Sequence, residues 1–292
     1  MKIVRYSFDG KTAFGVWDAG RIAPLTSFGI APVGTLAELA ALDAEESIAK
    51  TVAAAPASAW ETAIPEERVR ILAPCERPPH DVICVGVNYR AHREEFGGPF
   101  RDYKSKTVFF GKRCDRMTGP GEAIKFDPAL DDTLDYEVEL AVIIGKGGKK
   151  IAAEDAAEHI FGYSVFNDVS LRTTQTERAQ WLLGKGADTF CVMGPCVLLR
   201  EGTAFPPVFP LRSFVNGEPR QSSDTSLLIA GVAELIADVS SFTTLEPGDI
   251  IATGTPGGVG KGFDPKKYMK DGDTVKCEIP DIGTLENPIK AI

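Results

Sequence analysis

The sequence predicts a strand-rich, mixed α+β fold: one large rolled or barrel-like sheet with a small N-terminal α/β domain attached. Three observations carry this. Short β-branched and apolar runs recur along the chain without the regular strand–helix alternation of a doubly wound sheet. The clearest long helix is residues 226–240, with Leu228, Val232, Leu235, Ile236 and Val239 at helical spacing. The proline-rich stretch Ala73-Pro-Cys-Glu-Arg-Pro-Pro79 reads as a linker, which divides the chain into 1–75 and 76–292.

Taken in order, residues 2–8 and 13–18 are strands about the turn Asp9-Gly10, and 21–25 is a possible third. The Ala/Glu/Leu-rich stretch 35–55 predicts two short helices broken near Asp43. Residues 69–72 form a short strand. Residues 81–87 read as a buried strand leading into a short helix, with Asn88 as its N-cap and Gly97-Gly98 as its stop. Short strands follow at 108–110 and 123–126, then a longer one at 134–145. A short helix at 153–159 precedes a strand at 160–167 that ends at Asp168. Residues 189–199 predict two strands about Gly194-Pro195, and 249–253, 274–279 and 283–289 close the chain as strands.

At 292 residues the chain can bury a sizeable core. Its net charge of -9 argues against a non-specific nucleic-acid binder, which needs a basic footprint. An anionic substrate stays open, because one local cation can dominate a pocket. Six cysteines without a Cys-x-x-Cys pair fit free thiols in a reducing compartment and offer no zinc spacing. No signal peptide follows Lys2 and Arg5, and no apolar run reaches membrane-span length, so a cytoplasmic protein is expected.

The chemistry centres on Leu134-Asp-Tyr-Glu-Val-Glu-Leu-Ala-Val-Ile-Ile-Gly145. Alternation puts Tyr136, Val138, Leu140 and Val142 on one face and Asp135, Glu137, Glu139, Ala141 and Ile143 on the other. A wet face makes Ala141 and Ile143 odd occupants, and a dry one sets two carboxylates side by side. A divalent cation answers both, since an i, i+2 carboxylate pair on a strand can face one ion. A half-exposed strand with its acidic end in solvent is the alternative. Asp168 suits a third oxygen ligand on magnesium or manganese, or a cap on the next helix.

Arg172 and Gln175, one helical turn apart, can present a fork and an amide to a substrate carboxylate, or line a solvated face. His92 and Glu95 face the same way on their helix, either as a base with its orienting carboxylate or as a surface pair. Lys185, between Gly184 and Gly186, is either an oxyanion stabiliser or a solvated loop lysine. Thr253-Gly-Thr-Pro-Gly-Gly-Val-Gly260 is no Walker loop, because position 255 is threonine and glycine follows Lys261. It reads as a backbone cradle for a small carboxylate, helped by the Thr255 hydroxyl, or as an ordinary turn.

Five motifs then follow in one order: Asn-Tyr-x-x-His from Asn88, Asp-Tyr-Glu-x-Glu-Leu from Asp135, Asn-Asp-x-Ser-x-Arg-x-x-Gln from Asn167, Gly-Lys-x-x-Asp-Thr-Phe from Gly184 and Thr-Gly-Thr-Pro-x-Gly-Val-Gly from Thr253. From about residue 81 onward the chain resembles the fumarylacetoacetate hydrolase family. The preceding residues match only as the smaller, variable N-terminal domain of such proteins. The resemblance implies a mixed β-roll catalytic domain, usually a homodimer, with Mg2+ or Mn2+ (Ca2+ possible) on Glu137, Glu139 and Asp168. It implies His92 and Glu95 as the water-activating pair, on a segment that in relatives orders as a lid. Lys185 is implied as the oxyanion stabiliser, with Arg172, Gln175 and Thr255 as substrate contacts. Two departures stand out. The family's Ser-Phe after the lysine is here Gly186-Ala187, and an insert at 99–107 carries Arg101, Asp102, Tyr103, Lys104 and Lys106, which no motif assigns.

The activity implied is metal-dependent hydrolysis of a carbon–carbon bond in a diketo acid of the acylpyruvate, fumarylpyruvate or sugar-derived 2,4-diketo acid type. Oxaloacetate decarboxylation, and isomerisation or hydration of unsaturated 2-oxo dicarboxylates, are alternatives on the same centre. A non-catalytic binder of small acids is a further one, against which the His92–Glu95 pair argues, because a binder needs no base.

Overall fold

The computed structural model describes residues 1–96 and 107–292, so Gly97-Gly98 and all of the insert but Thr107 lie outside the described residues. Among the described residues, two large sheets and a two-stranded ribbon make up the fold. The larger sheet, of 11 strands, runs from Ile64–Pro65 through Arg21–Pro24, Lys11–Asp18 and Lys2–Phe8 to Cys191–Leu199 and Ile160–Asp168. It continues through Val138–Ile144, Ile250–Ala252 and Val82–Val85 to Phe109–Lys112, and Arg70–Ile71 pairs beside Lys2–Phe8. Its pairings are antiparallel except that of Ile250–Ala252 with Val82–Val85. The second sheet orders Glu218–Asp224, Pro210–Val215, Thr274–Ile279, Gly283–Ala291 and Ile124–Phe126. The fold is thus strand-rich and mixed, without strand–helix alternation.

The central strands Val138–Ile144 and Ile160–Asp168 are buried throughout. Val138, Leu140, Val142 and Ile144 face a core shared with the second sheet and the Val232–Phe242 helix. Ala141 and Ile143 face a second core, closed by Leu36, Leu39, Ile48 and Val52 of the helices Leu36–Glu45 and Ile48–Ala54. That second core accounts for these two apolar residues without an ion: their face is dry. The N-terminal strands belong to the same sheet, joined where Lys2 and Ile3 pair with Leu198 and Val197.

Four local expectations change. Residues 134–145 are not one strand: Leu134–Asp135 pairs with Ser170–Leu171, and the large sheet begins only at Val138. In the gap, the Asn167 side chain accepts the Glu137 N–H at 2.9 Å in place of a ladder carbonyl. Residues 191–199 are one strand, with a register shift opposite Tyr163 and Val165. The helix expected from Ser226 begins at Val232, because Thr225–Leu227 form a single 3-10 turn and residues 229–230 are bent and tied to Asn88. The Asn88 carbonyl accepts the Ile229 N–H at 2.8 Å, and its side-chain oxygen accepts the Ala230 N–H at 2.8 Å. Asn88 therefore ties loops together rather than capping the helix Arg90–Phe96.

Candidate active site

Two chain segments bring three acids together. Glu137 and Glu139 flank the start of one central strand, and Asp168 ends its antiparallel neighbour, where Asn167 pairs with Val138. One carboxylate oxygen from each lies within 4.8 Å of the others, and all three residues are buried. Asp168 does not cap a helix; the helix that follows has Leu171 at its N-cap. The first of the four acids, Asp135, turns away because the strand breaks after it. It accepts from the Gly260 and Lys261 N–H groups at 2.7 and 3.0 Å and from Arg172 Nε at 2.8 Å.

Cations interleave with these acids. Lys185 Nζ lies 2.8 Å from Glu137 Oε2 and 2.7 Å from Asp168 Oδ2. Arg172 Nη1 lies 2.6 Å from Glu137 Oε1. Lys112, fully buried, places Nζ 2.7 Å from Asp168 Oδ1 and donates to the Val169 carbonyl at 2.8 Å. Burial alone would raise the Glu137 carboxyl, but Lys185 and Arg172 outweigh it and hold the group well below the usual carboxylate range. Burial also works against the Lys185 ammonium, and Asp168 and Glu137 reverse that, keeping its pKa above an ordinary lysine.

Glu139 is the exception. Burial, then the charges of Asp168 and Glu137, push its carboxyl far above the ordinary range. Its Oε2 accepts the Gly254 N–H at 2.8 Å, while Oε1 is buried with no hydrogen-bond partner. An oxygen orphaned beside two further carboxylates is what a cation ligand looks like before its ion is added. The donor set is oxygen only, which suits Mg2+, Mn2+ or Ca2+ rather than a thiophilic ion. The residues present therefore fit a hard divalent ion.

The remaining site residues of the sequence close around this cluster. His92 is buried, with Nδ1 3.2 Å from Glu95 Oε2. Glu95 Oε1 accepts the Gly258 N–H at 2.6 Å, so the glycine-rich loop braces the pair. Gln175 accepts from Arg172 Nη1 at 3.1 Å, making Arg172 and Gln175 a buried unit rather than a solvated face. The Thr255 hydroxyl donates to the Val138 carbonyl at 2.9 Å and accepts from Gln221 Nε2 at 2.7 Å, so its proton is committed to the scaffold. Lys185 ends a one-turn helix, Leu182–Lys185, instead of lying in an open loop.

Sequence reasoning missed Lys112, Asn167 and Gln221. Lys112 left a signal, a lysine closing the apolar run Phe109-Phe-Gly-Lys112; the two amides left none, because the main-chain groups they bond, Glu137 N–H and Val138 N–H, are distant in sequence.

A strand-rich sheet with a buried set of carboxylates and cations at its strand ends places the chain in a family of enzymes. The family description "Fumarylacetoacetate (FAA) hydrolase C-terminal" matches residues 81–290, and the chain belongs to the fumarylacetoacetate hydrolase family. It is 43% identical over 221 residues to oxaloacetate tautomerase YisK of Bacillus subtilis, covering 76% of this chain and 73% of the relative. A fumarylacetoacetate hydrolase structure from Exiguobacterium antarcticum superposes with a TM-score of 0.85 at 38% identity, over the full length of both chains. Maleylpyruvate hydrolase from Sphingobium, solved with manganese(II) and pyruvate, superposes with a TM-score of 0.77 at 27% identity, covering 100% of this chain and 99% of that one. No described helix is long and apolar enough to cross a membrane.

Proposed function

We propose that the protein is a metal-dependent enzyme that moves a proton on a small 2-oxo dicarboxylate of the oxaloacetate type, interconverting its enol and keto forms. The observation that carries this is the buried cluster of Glu137, Glu139 and Asp168, with an unpartnered oxygen on Glu139. A divalent ion held there supplies Lewis acidity toward a 2-oxo acid, favouring its enolate. The proton is handled by His92: with Nδ1–H given to Glu95, Nε2 carries the basic lone pair that takes or returns a proton at C3. Glu95 fixes that tautomer and is itself fixed by Gly258. The Lys185 ammonium stabilises negative charge developing on the enolate oxygen. Arg172 with Gln175, and the Thr255 loop, form the walls against which the substrate carboxylates rest.

The named tautomerase relative at 43% identity supports proton transfer ahead of bond cleavage. Hydrolysis of an acylpyruvate-type bond is the second reading, favoured by the same His92–Glu95 pair and by the similarity to maleylpyruvate hydrolase. Decarboxylation of oxaloacetate needs the enolate stabilisers but no base. One experiment separates the three: enol-oxaloacetate and an acylpyruvate are supplied with Mn2+, and enol absorbance, pyruvate release and acid release are followed in parallel. Faster loss of enol absorbance without pyruvate is expected, abolished by EDTA and reduced ~100-fold or more in His92→Gln. Enol loss at the uncatalysed rate, or undiminished by EDTA, sinks the proposal.

A further inference from the structure

We infer that Cys114 and Cys191 are an oxidisable thiol pair that closes into a disulfide and thereby weakens the acidic site. Both cysteines line a cavity of about 210 Å3, together with Arg113, Arg116, Gly186 and Ala187. The Cys191 thiol donates to the carbonyl of Arg113, the residue before Cys114, at 3.3 Å. Among the six cysteines only Cys114 is not buried. Cys75, Cys84, Cys196 and Cys277 are sealed in apolar cores, and burial pushes the thiols of Cys75 and Cys196 up to about 12. Gly186 and Ala187, both small, form one wall of the cavity. A side chain at Gly186 would meet the Leu182 carbonyl at 2.9 Å and Arg113 Cβ at 3.0 Å, beside Cys114.

The chemistry needs one equivalent of a peroxide. The Cys114 sulfur, which lines the cavity with Arg113 and Arg116, attacks a peroxide oxygen, breaking the O–O bond and forming a sulfenic acid with release of one water. The Cys191 sulfur displaces the sulfenic hydroxyl, forming the S–S bond, and its thiol proton leaves with that hydroxyl as a second water. Two thiols are oxidised and one peroxide is reduced to two waters. Both sulfurs are wired to Asp168: Cys191 is its cross-strand partner, and Cys114 follows two residues after Lys112, which pairs with it. Drawing the sulfurs together pulls on both supports of that carboxylate.

The coupling to the ion rests on the proposed metal site; bridge formation does not. The full chain is reduced, freed of reductant, exposed to hydrogen peroxide, and then alkylated, digested and weighed, while Mn2+ affinity is measured before and after. A Cys114–Cys191 cross-linked peptide is expected, reversed by dithiothreitol, absent in Cys114→Ser and slowed in Ala187→Phe, which refills the cavity. Mn2+ affinity should fall about 10-fold or more with the bridge, as outer support of a ligand is lost. Two alkylatable thiols after peroxide, or Cys114 oxidised without a bridge, overturns the thiol pair. A bridge with unchanged Mn2+ affinity overturns its coupling to the site. Reduced protein that binds no Mn2+ at all counts against the metal site alone.

Discussion

Lys112 is fully buried and has two partners, the Asp168 carboxylate and the Val169 carbonyl. Replacing it with methionine fills the space but leaves both oxygens dry, so Lys112→Met should cost roughly 3–5 kcal/mol of stability in urea unfolding. A loss near zero would mean the site relaxes to admit water. His80 makes the opposite case of a partly exposed ion pair. Its hydrogen bond to Asp249, at 2.8 Å, raises its pKa above the ordinary 6.5. A raised histidine pKa adds stability that is whole below pH 6.5 and is lost as pH climbs through the folded value. Because the side chain is 55% exposed, the effect should stay under about 1 kcal/mol, and His80→Gln should flatten that part of the stability–pH curve. At this scale the sequence was most informative. Of the residues it singled out, His92, Glu137, Glu139, Asp168, Arg172, Gln175, Lys185 and Thr255 are buried and Glu95 is partly exposed, because unusual acids and cations in apolar surroundings declare themselves. It failed for Lys112 and for the second contacts of Arg172 and Thr255, which depend on partners 34 or more residues away.

The elements hold the site by their ends. Strand ends present Glu137, Glu139 and Asp168, while the loop after Ile250–Ala252 reaches over them with main-chain N–H groups. Gly254 and Gly258 make that reach possible, with φ of +95° and +102°. A Cβ on Gly258 would sit 2.3 Å from the Arg220 carbonyl, a main-chain atom that cannot step aside. Gly258→Ala should therefore destabilise by at least ~1–3 kcal/mol and slow turnover more than it weakens substrate binding, since Glu95 loses its brace. Unchanged kcat would show that the brace is dispensable. The break at Tyr136–Glu137 was not legible in the alternation, because it comes from the Asn167 side chain intercepting a ladder N–H. The late start of the Val232–Phe242 helix has the same kind of cause, tertiary contacts with Asn88 overriding an apolar pattern that extends further.

Across the whole molecule, the pattern of short strands without alternating helices indicated the rolled sheet, whereas the order of the strands was beyond reach of local periodicity. Residues 1–75 and 76–292, which we propose as the two units, share that sheet through Lys2–Phe8 and Cys191–Leu199. We also propose a homodimer, which sedimentation tests by returning twice the chain mass. The charge balance of the interior explains what the sheet is built around. Were all four ionised, the buried carboxylates Asp135, Glu137, Glu139 and Asp168 would exceed the three buried cations Lys112, Arg172 and Lys185 by one negative charge, an excess that the raised pKa of Glu139 answers with a proton. A divalent ion reverses that sign and readies the pocket for an acid substrate. The most direct measurement is Mn2+ titration of EDTA-stripped protein, followed by electron paramagnetic resonance of the unbound ion. One site per chain is expected, with affinity at least ~10-fold weaker in Glu139→Gln, the substitution that removes the charge of the unpartnered oxygen and little else. An isotherm for Glu139→Gln that overlays the unsubstituted protein, or no binding in either, would contradict the account.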